Sequence, residues 1–180
     1  TVRPQSASTI KALRSTGIDK IVMLTGDNEA TANAIANQLN VDEWRSNLLP
    51  EDKVDAINGI HHESGNIAMV GDGVNDAPAL ATASIGIAMG AAGSDTALET
   101  ADVALMTDDL TKLPYLFHLS RKSRKVIKQN VWFAILLKLS LALGVIPGFV
   151  SLIAAVIIGD MGATLAVTAN ALRLSRIRLS

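Results

Sequence analysis

The chain of 180 residues contains no cysteine. It can therefore build neither a disulfide nor a thiolate metal site from its own residues. Nothing at its amino terminus resembles a signal peptide, because Thr1 to Gly17 alternates polar and apolar residues without an apolar core segment. It also opens without a methionine, in what reads as the lead-in to a helix, as expected of a piece of something larger. Acid is almost missing from residues 110–180, which hold Asp160 alone against ten Lys+Arg, a balance of +9. Residues 1–109 are the opposite, with sixteen Asp+Glu against six Lys+Arg, a balance of −10. The overall net charge of −1 conceals these two chemistries. The first part reads as an acidic α/β unit, and the second as basic at both ends and apolar between them.

Short apolar runs alternate with helical patterns through the acidic part. Ala7, Ile10 and Leu13 have helical spacing over Pro4 to Thr16, and Gly17 stops that helix. Ile21 to Leu24 reads as a strand ending at Thr25-Gly26-Asp27-Asn28, followed by a small-residue helix with Ala30, Ala34, Ile35 and Leu39. Pro50 opens a helix to about His61, with Val54, Ile57 and Ile60 on one face. Ile67–Val70, Ile85–Met89 and Val103–Met106 read as further strands, with a helix from Asp76 and a helical turn near Thr96–Thr100 between them. Strands that alternate with short helices predict a parallel sheet covered on both faces. In such sheets ligands lie beyond the carboxyl ends of the strands, where Asp27 and Asp72 both fall.

The most informative segment is Gly71-Asp72-Gly73-Val74-Asn75-Asp76-Ala77-Pro78-Ala79-Leu80. A buried strand that stops at this turn delivers two carboxylates, Asp72 and Asp76, to one rim. They would repel unless a cation sat between them. Hard oxygen ligands in small number suit Mg²⁺, which keeps waters and binds phosphate as well. The segment thus reads as a phosphoryl-transfer site. The plainer reading is a helix cap, with Asp76 as N-cap and Pro78 in the first turn, and both hold for Asp76.

From Asp109, taken as a cap, a helix is expected to carry the basic stretch Arg121, Lys122, Arg124, Lys125 and Lys128. That stretch abuts an apolar span, which favours anionic lipid headgroups over nucleic acid as its partner. Val131–Ile146 is apolar except for Lys138, Pro147-Gly148 makes a turn, and Phe149–Leu172 is apolar over 24 residues. As a helix those 24 residues extend about 36 Å, enough to cross a bilayer with some tilt. Arg173, Arg176 and Arg178 follow. Cations flank both outer ends of this hairpin and none lies in the turn, so both ends are expected in the cytoplasm. Trp132 and Phe133 suit the inner boundary. A buried hairpin of a soluble protein is the alternative.

Lys138 and Asp160 lie within these apolar spans. Each left unpaired would cost about 2.5–3.5 kcal/mol on insertion scales. They can neutralise each other as a static pair. A carboxylate at such a place can also bind a cation, with the ammonium compensating charge when the cation leaves. His61-His62 reads as surface, since adjacent helical residues point to different faces.

Together these residues resemble the carboxyl-terminal quarter of a P-type ATPase of the heavy-metal-exporting branch, similar to bacterial cadmium/zinc transporters. Four blocks carry the resemblance: Thr25-Gly26-Asp27-Asn28, Pro50-Glu51-Asp52-Lys53, Gly71 to Leu80, and the last two helices. In those helices Asn130 precedes Lys138 by eight positions, and Asp160-Met161-Gly162 is followed by Asn170. The resemblance implies an α/β, parallel-sheet, haloacid-dehalogenase-like phosphorylation domain, incomplete here, over residues 1–109. A basic cytoplasmic helix (110–130), transmembrane helices (131–146 and 149–172) and a cytoplasmic tail (173–180) would follow.

It further implies ATP hydrolysis through an aspartyl phosphate, with ATP as substrate and Mg²⁺ as cofactor. Thr25, Gly26 and Asp27 match the loop beside the phosphate, and Lys53 the lysine on phosphate oxygens. Asp72 and Asp76 match the Mg²⁺-associated carboxylates, with Asn75 a polar neighbour. Asp160 matches a ligand of the transported Zn²⁺, Cd²⁺ or Pb²⁺, and Lys138 its charge partner. The implied partners are a lipid bilayer (the prokaryotic plasma membrane), the remainder of the same ATPase and the transported ion, with no nucleic acid. The Asp-Lys-Thr-Gly-Thr phosphorylation motif and the Cys-Pro-Cys metal motif are absent from this chain, so by itself it is expected to be inactive. Alternatives are a soluble phosphatase of the dehalogenase-like type and a truncated, non-enzymatic membrane module. The helix from Asp109 is expected to act as a strut that carries domain motion towards Lys138.

Overall fold

The computed structural model of the protein describes residues 2–72, 75–90 and 95–176. They divide into two units, Thr1–Pro114 and Tyr115–Ser180.

The first unit runs α1 (Ser6–Ser15), β1 (Val22–Leu24), α2 (Glu29–Leu39), β2 (Glu43–Arg45), α3 (Pro50–Ser64), β3 (Ala68–Gly71), α4 (Ala77–Thr82), β4 (Ile85–Met89), α5 (Asp95–Thr100) and β5 (Val103–Leu105). Local chemistry sets the helix starts. The Asn28 side chain accepts the Thr31 N–H at 3.0 Å and so caps α2. Pro50 opens α3, and the Leu49 N–H ahead of it donates to Asp52 Oδ2 at 2.8 Å. α2 ends at Asn40, whose left-handed backbone (φ 54°) reverses the chain towards β2.

Among the described residues all strand pairs are parallel, but they form two sheets rather than the single sheet expected: β1-β2, with Val22 opposite Glu43, and β3-β4-β5, with Val70 opposite Ile87 and Ile87 opposite Val103. β2 was not anticipated. Two of its three residues are charged, and no apolar run announces it. Pairing with β1 makes it a strand, and its charges are matched locally: Glu43 lies 2.5 Å from Lys20 Nζ and 3.0 Å from Arg45 Nε. At its entry, the Ile21 N–H and then Arg14 hold the Asp42 carboxyl below the usual carboxylate range.

The core follows the apolar runs. Ile57 and Ile60 on α3 are buried as predicted, with Ala56 beside them. Leu80 of α4 packs on Ala88 of β4, with Met69, Ala101 and Ala104 around them. This contact needs Gly86: a Cβ there would lie 2.6 Å from the Leu80 carbonyl oxygen. Gly86→Ala should therefore destabilise the protein by about 1–3 kcal/mol, since backbone and not a flexible side chain blocks the methyl. A thermal melt showing an unchanged midpoint would contradict this.

In the second unit, α6 (Lys112–Val145) begins before the boundary and runs without a break as far as the turn. It starts at Lys112 and not at Asp109, because Asp109 Oδ1 accepts both the Thr111 hydroxyl (2.7 Å) and the Thr111 N–H (3.0 Å) in a turn of its own. The Thr111 hydroxyl is the main reason that the Asp109 carboxyl lies below its ordinary range. At the turn, Gly148 adopts φ 83° and donates to the Val145 carbonyl at 3.0 Å. The second apolar helix departs from the expected uniform span over 149–172. It opens at Ser151, whose hydroxyl accepts the Ala154 N–H at 3.2 Å. It continues as α7 (Leu152–Val156), a π-helical turn (Ile157–Gly162), α8 (Ala163–Leu172) and a 3₁₀ turn (Arg173–Arg176). Lys112–Val145 and Leu152–Ser175 are each long and apolar enough to cross a membrane.

Candidate functional site

In the first unit the predicted residues lie after β1, after β3 and in the first turn of α3, and the structure brings Lys53 and Asp76 into contact. After β1, the Thr25 N–H donates to the Arg45 carbonyl (3.0 Å), and Thr25 Oγ1 accepts the Asp27 N–H (3.1 Å). The carbonyls of Asp27 and Thr25 accept the N–H groups of Asn47 (2.8 Å) and Leu48 (3.1 Å). Gly26 passes close to this second loop, for a Cβ on it would lie 3.2 Å from the Leu48 carbonyl oxygen. The loop Asn47–Leu48 is thus a support for Thr25-Gly26-Asp27 that the sequence did not reveal. Its one local signal is Asn47, which takes a left-handed backbone (φ 54°) that asparagine tolerates.

Lys53 stands in the first turn of α3, and its Nζ lies 2.5 Å from Asp76 Oδ1. Both side chains are largely buried, at 17% and 14% exposure. Read from the sequence alone Lys53 would be a surface lysine, and its partner is 23 residues away. Asp76 also rests on the end of β3, where a Cβ on Gly71 would lie 2.7 Å from Asp76 Oδ2. The glycine is what lets the carboxylate settle there. The expectation that the Asp76 side chain caps α4 is corrected: it makes no capping hydrogen bond. Pro78 in that first turn has no N–H to offer, whereas the Lys53 ammonium makes a stronger, charge-assisted bond.

Asp72 follows directly on β3, and Asn75 is exposed. Gly73 and Val74 of the same motif lie outside the described residues. Among the described residues no three His, Asp or Glu side chains form a metal-binding group. Asp72 and Asp76 nevertheless suit Mg²⁺ in donor chemistry. That ion needs only one or two carboxylates when water and phosphate oxygens fill its other positions.

In the second unit, Lys138 Nζ lies 3.0 Å from Asp160 Oδ1. The two charges expected inside the apolar spans do meet, and both remain exposed on the surface of the hairpin, at 60% and 66%. Asp160 sits within the π turn, between Gly159 and Gly162, and its carbonyl accepts the Thr164 hydroxyl at 2.6 Å. Turns of this kind are frequent at functional sites. The two flanking glycines, poor helix formers, were the available sign of it. Trp132 and Phe133 are exposed, and the side chain of Arg176 and all of Arg178 lie outside the described residues.

A family model described as haloacid dehalogenase-like hydrolase matches residues 1–84. A probable cadmium-transporting ATPase of Listeria monocytogenes is 56% identical over 98% of the chain and 25% of its own length. A manganese-exporting P-type ATPase of Mycobacterium tuberculosis is 46% identical over 99% of the chain and 25% of its own length. A solved zinc-transporting PIB-type ATPase in an E2.Pi state superposes with a TM-score of 0.88 and 46% identity, over 98% of this chain and 28% of that one. The chain spans about a quarter of the length of the curated relatives it matches. Over that quarter, motifs, fold and sequence agree: the chain is similar to the matching part of P-type ATPases named for cadmium, manganese and zinc, with a haloacid dehalogenase-like match over residues 1–84 ahead of two apolar helices.

Proposed function

We propose that this chain serves in an ATP-driven exporter of divalent heavy metals, Zn²⁺, Cd²⁺ or Pb²⁺, that works through an aspartyl-phosphate intermediate. The observation that carries the reading is the Lys138–Asp160 pair, set on two apolar helices in the same chain as a dehalogenase-like unit. A soluble phosphatase has no use for such a pair. Relatives named for cadmium, manganese and zinc support a divalent cation as cargo without choosing among them.

In this reading Thr25, Gly26 and Asp27 form the loop beside the phosphoryl group. Asp72 and Asp76 hold Mg²⁺, which neutralises phosphate oxygens when bound, and Asn75 is a polar neighbour. Lys53 holds Asp76 in place and offsets negative charge on the phosphoryl oxygens. Asp160 binds the transported ion and Lys138 balances its charge when the ion leaves. The two helices cross a membrane, with residues 110–130 and the tail from Arg173 on the cytoplasmic side. The rest of the ATPase supplies the phosphorylated aspartate.

Sealed inside-out vesicles carrying the complete ATPase should accumulate Zn²⁺ or Cd²⁺ when Mg²⁺ and ATP are added. Asp72→Asn should stop that accumulation. Uptake that is the same with and without ATP would overturn the proposal.

A further inference from the structure

Among the described residues, the Lys138–Asp160 ion pair and an amide pair join α6 to the second apolar helix. In the amide pair, Asn170 Nδ2 donates to Asn130 Oδ1 at 2.8 Å. Asn130 Nδ2 in turn donates to the Val167 carbonyl at 3.4 Å, and Arg173 Nη1 donates to Asn170 Oδ1 at 3.2 Å. Both asparagines are half-buried. An amide in apolar surroundings is costly without a partner, and here each amide is the other's partner. The arrangement is unlike an ion site. Asn130 Oδ1 is occupied by an N–H, and Asn170 Oδ1 faces a guanidinium that would repel a cation.

A polar pair in an apolar seam has another use. A lone asparagine in a coiled coil lowers stability yet fixes register, because a slipped helix leaves its amide unsatisfied. Register matters in this hairpin. Eight residues separate Asn130 from Lys138, and ten separate Asp160 from Asn170. On straight α-helices those spacings are about 12 and 15 Å. The two cross-links would therefore be out of step by about 3 Å. The π turn over Ile157–Gly162 places an extra residue within one turn and takes up part of that difference. Gly159 within it faces Leu141 of α6, where even a Cβ would make only an ordinary contact, 3.4 Å from Leu141 Cδ1.

We propose that Asn130 and Asn170 are positioning residues: their amide pair sets the axial register that brings Lys138 onto Asp160, and neither asparagine binds the transported cation. This rests on the export reading above.

The test uses the complete ATPase, with Zn²⁺-stimulated hydrolysis and a thermal melt read together. Asn130→Leu combined with Asn170→Leu removes both amides, so no unsatisfied group is left behind. The melting midpoint should not fall. The maximal rate should drop about 10- to 100-fold, because a misplacement of order 1 Å costs that much. The half-saturating Zn²⁺ concentration should stay within about twofold, since ground-state binding is untouched. Each single variant should lose rate as far as the pair, because both break one lock. Asn130→Ser with Asn170→Ser, too short to span the gap, is a milder break with the same expected result should the leucine proteins not accumulate. An unchanged maximal rate would overturn the register role. So would a tenfold rise in half-saturating Zn²⁺ at constant rate, which would make the asparagines ligands. Asp160→Ala in parallel separates the two ideas. Retained stimulation there sinks the export reading, whereas its loss beside a normal leucine pair sinks only the register role.

Discussion

Asp160→Ala in the complete ATPase is expected to abolish Zn²⁺-stimulated hydrolysis, lowering it about 100-fold or more, equivalent to at least about 2.7 kcal/mol. The side chain is well placed for this. It stands 3.0 Å from Lys138, is exposed on the hairpin surface, and lies in a π turn between two glycines. In the proposed cycle a cation arriving there would meet a carboxylate beside a positive charge that it must displace. In that proposed cycle the converse step, return of Lys138 to Asp160, would let the ion leave without stranding a bare carboxylate in an apolar setting. Removing Asp160 alone strands Lys138 instead, at about 2.5–3.5 kcal/mol on insertion scales. Lost activity could then reflect poor insertion. Lys138→Met together with Asp160→Ala removes that burden. The double variant should insert normally and still show no stimulation by Zn²⁺. Stimulation surviving in either variant would refute the assignment of Asp160 as ligand.

The second large effect is expected at the Lys53–Asp76 pair. Lys53→Met should lower ATP hydrolysis about 10²- to 10³-fold, as losing one preorganised charge or donor at a transferring group does. The lysine is held within 2.5 Å of Asp76 and is largely buried, so its charge is fixed in place and poorly screened. Stability should suffer as well, because breaking a buried pair leaves one charge uncompensated, at up to about 3–5 kcal/mol. Replacing both, Lys53→Met with Asp76→Leu, should restore much of the stability while the activity stays lost. If the double variant regained both, the pair would be structural alone. If Lys53→Met kept its rate, the proposed role on phosphoryl oxygens would be wrong.

Much of this was legible in the sequence, for physical reasons that differ from place to place. The strand at Ile85–Met89 and the helix at Glu29–Leu39 follow from uninterrupted apolar character and helical spacing with a good cap. The apolar hairpin follows from length, and the meeting of Lys138 with Asp160 from the cost of leaving either alone. β2 was hidden because Glu43-Trp44-Arg45 has no pattern of its own, and its extended form comes from its neighbour β1 and from charges at Lys20 and Arg45. The division into two sheets was hidden for the same reason: strand partners are chosen across distances that periodicity does not report. The role of Asp76 was half legible. Its place ahead of α4 suggests a cap, and only the folded chain shows an ammonium from α3 competing for the same oxygens. At the candidate site the segment Gly71 to Leu80 was a clear sign, whereas Asn47 and Leu48 support the other loop through backbone N–H groups that any residue type could supply.

The wide turn at Ile157–Gly162 also limits what a helical wheel can say about this segment. A wheel advances by a fixed angle of about 100° per residue, and one residue too many in a single turn puts everything on its far side out of phase by about that angle. Drawn from Ala163 to Leu172, the wheel is sound. Extended back through the turn to Leu152 and Ile153, it assigns those side chains to the wrong flank of the helix. Any mutational scan meant to separate lipid-facing from helix-facing positions should therefore index the two stretches independently.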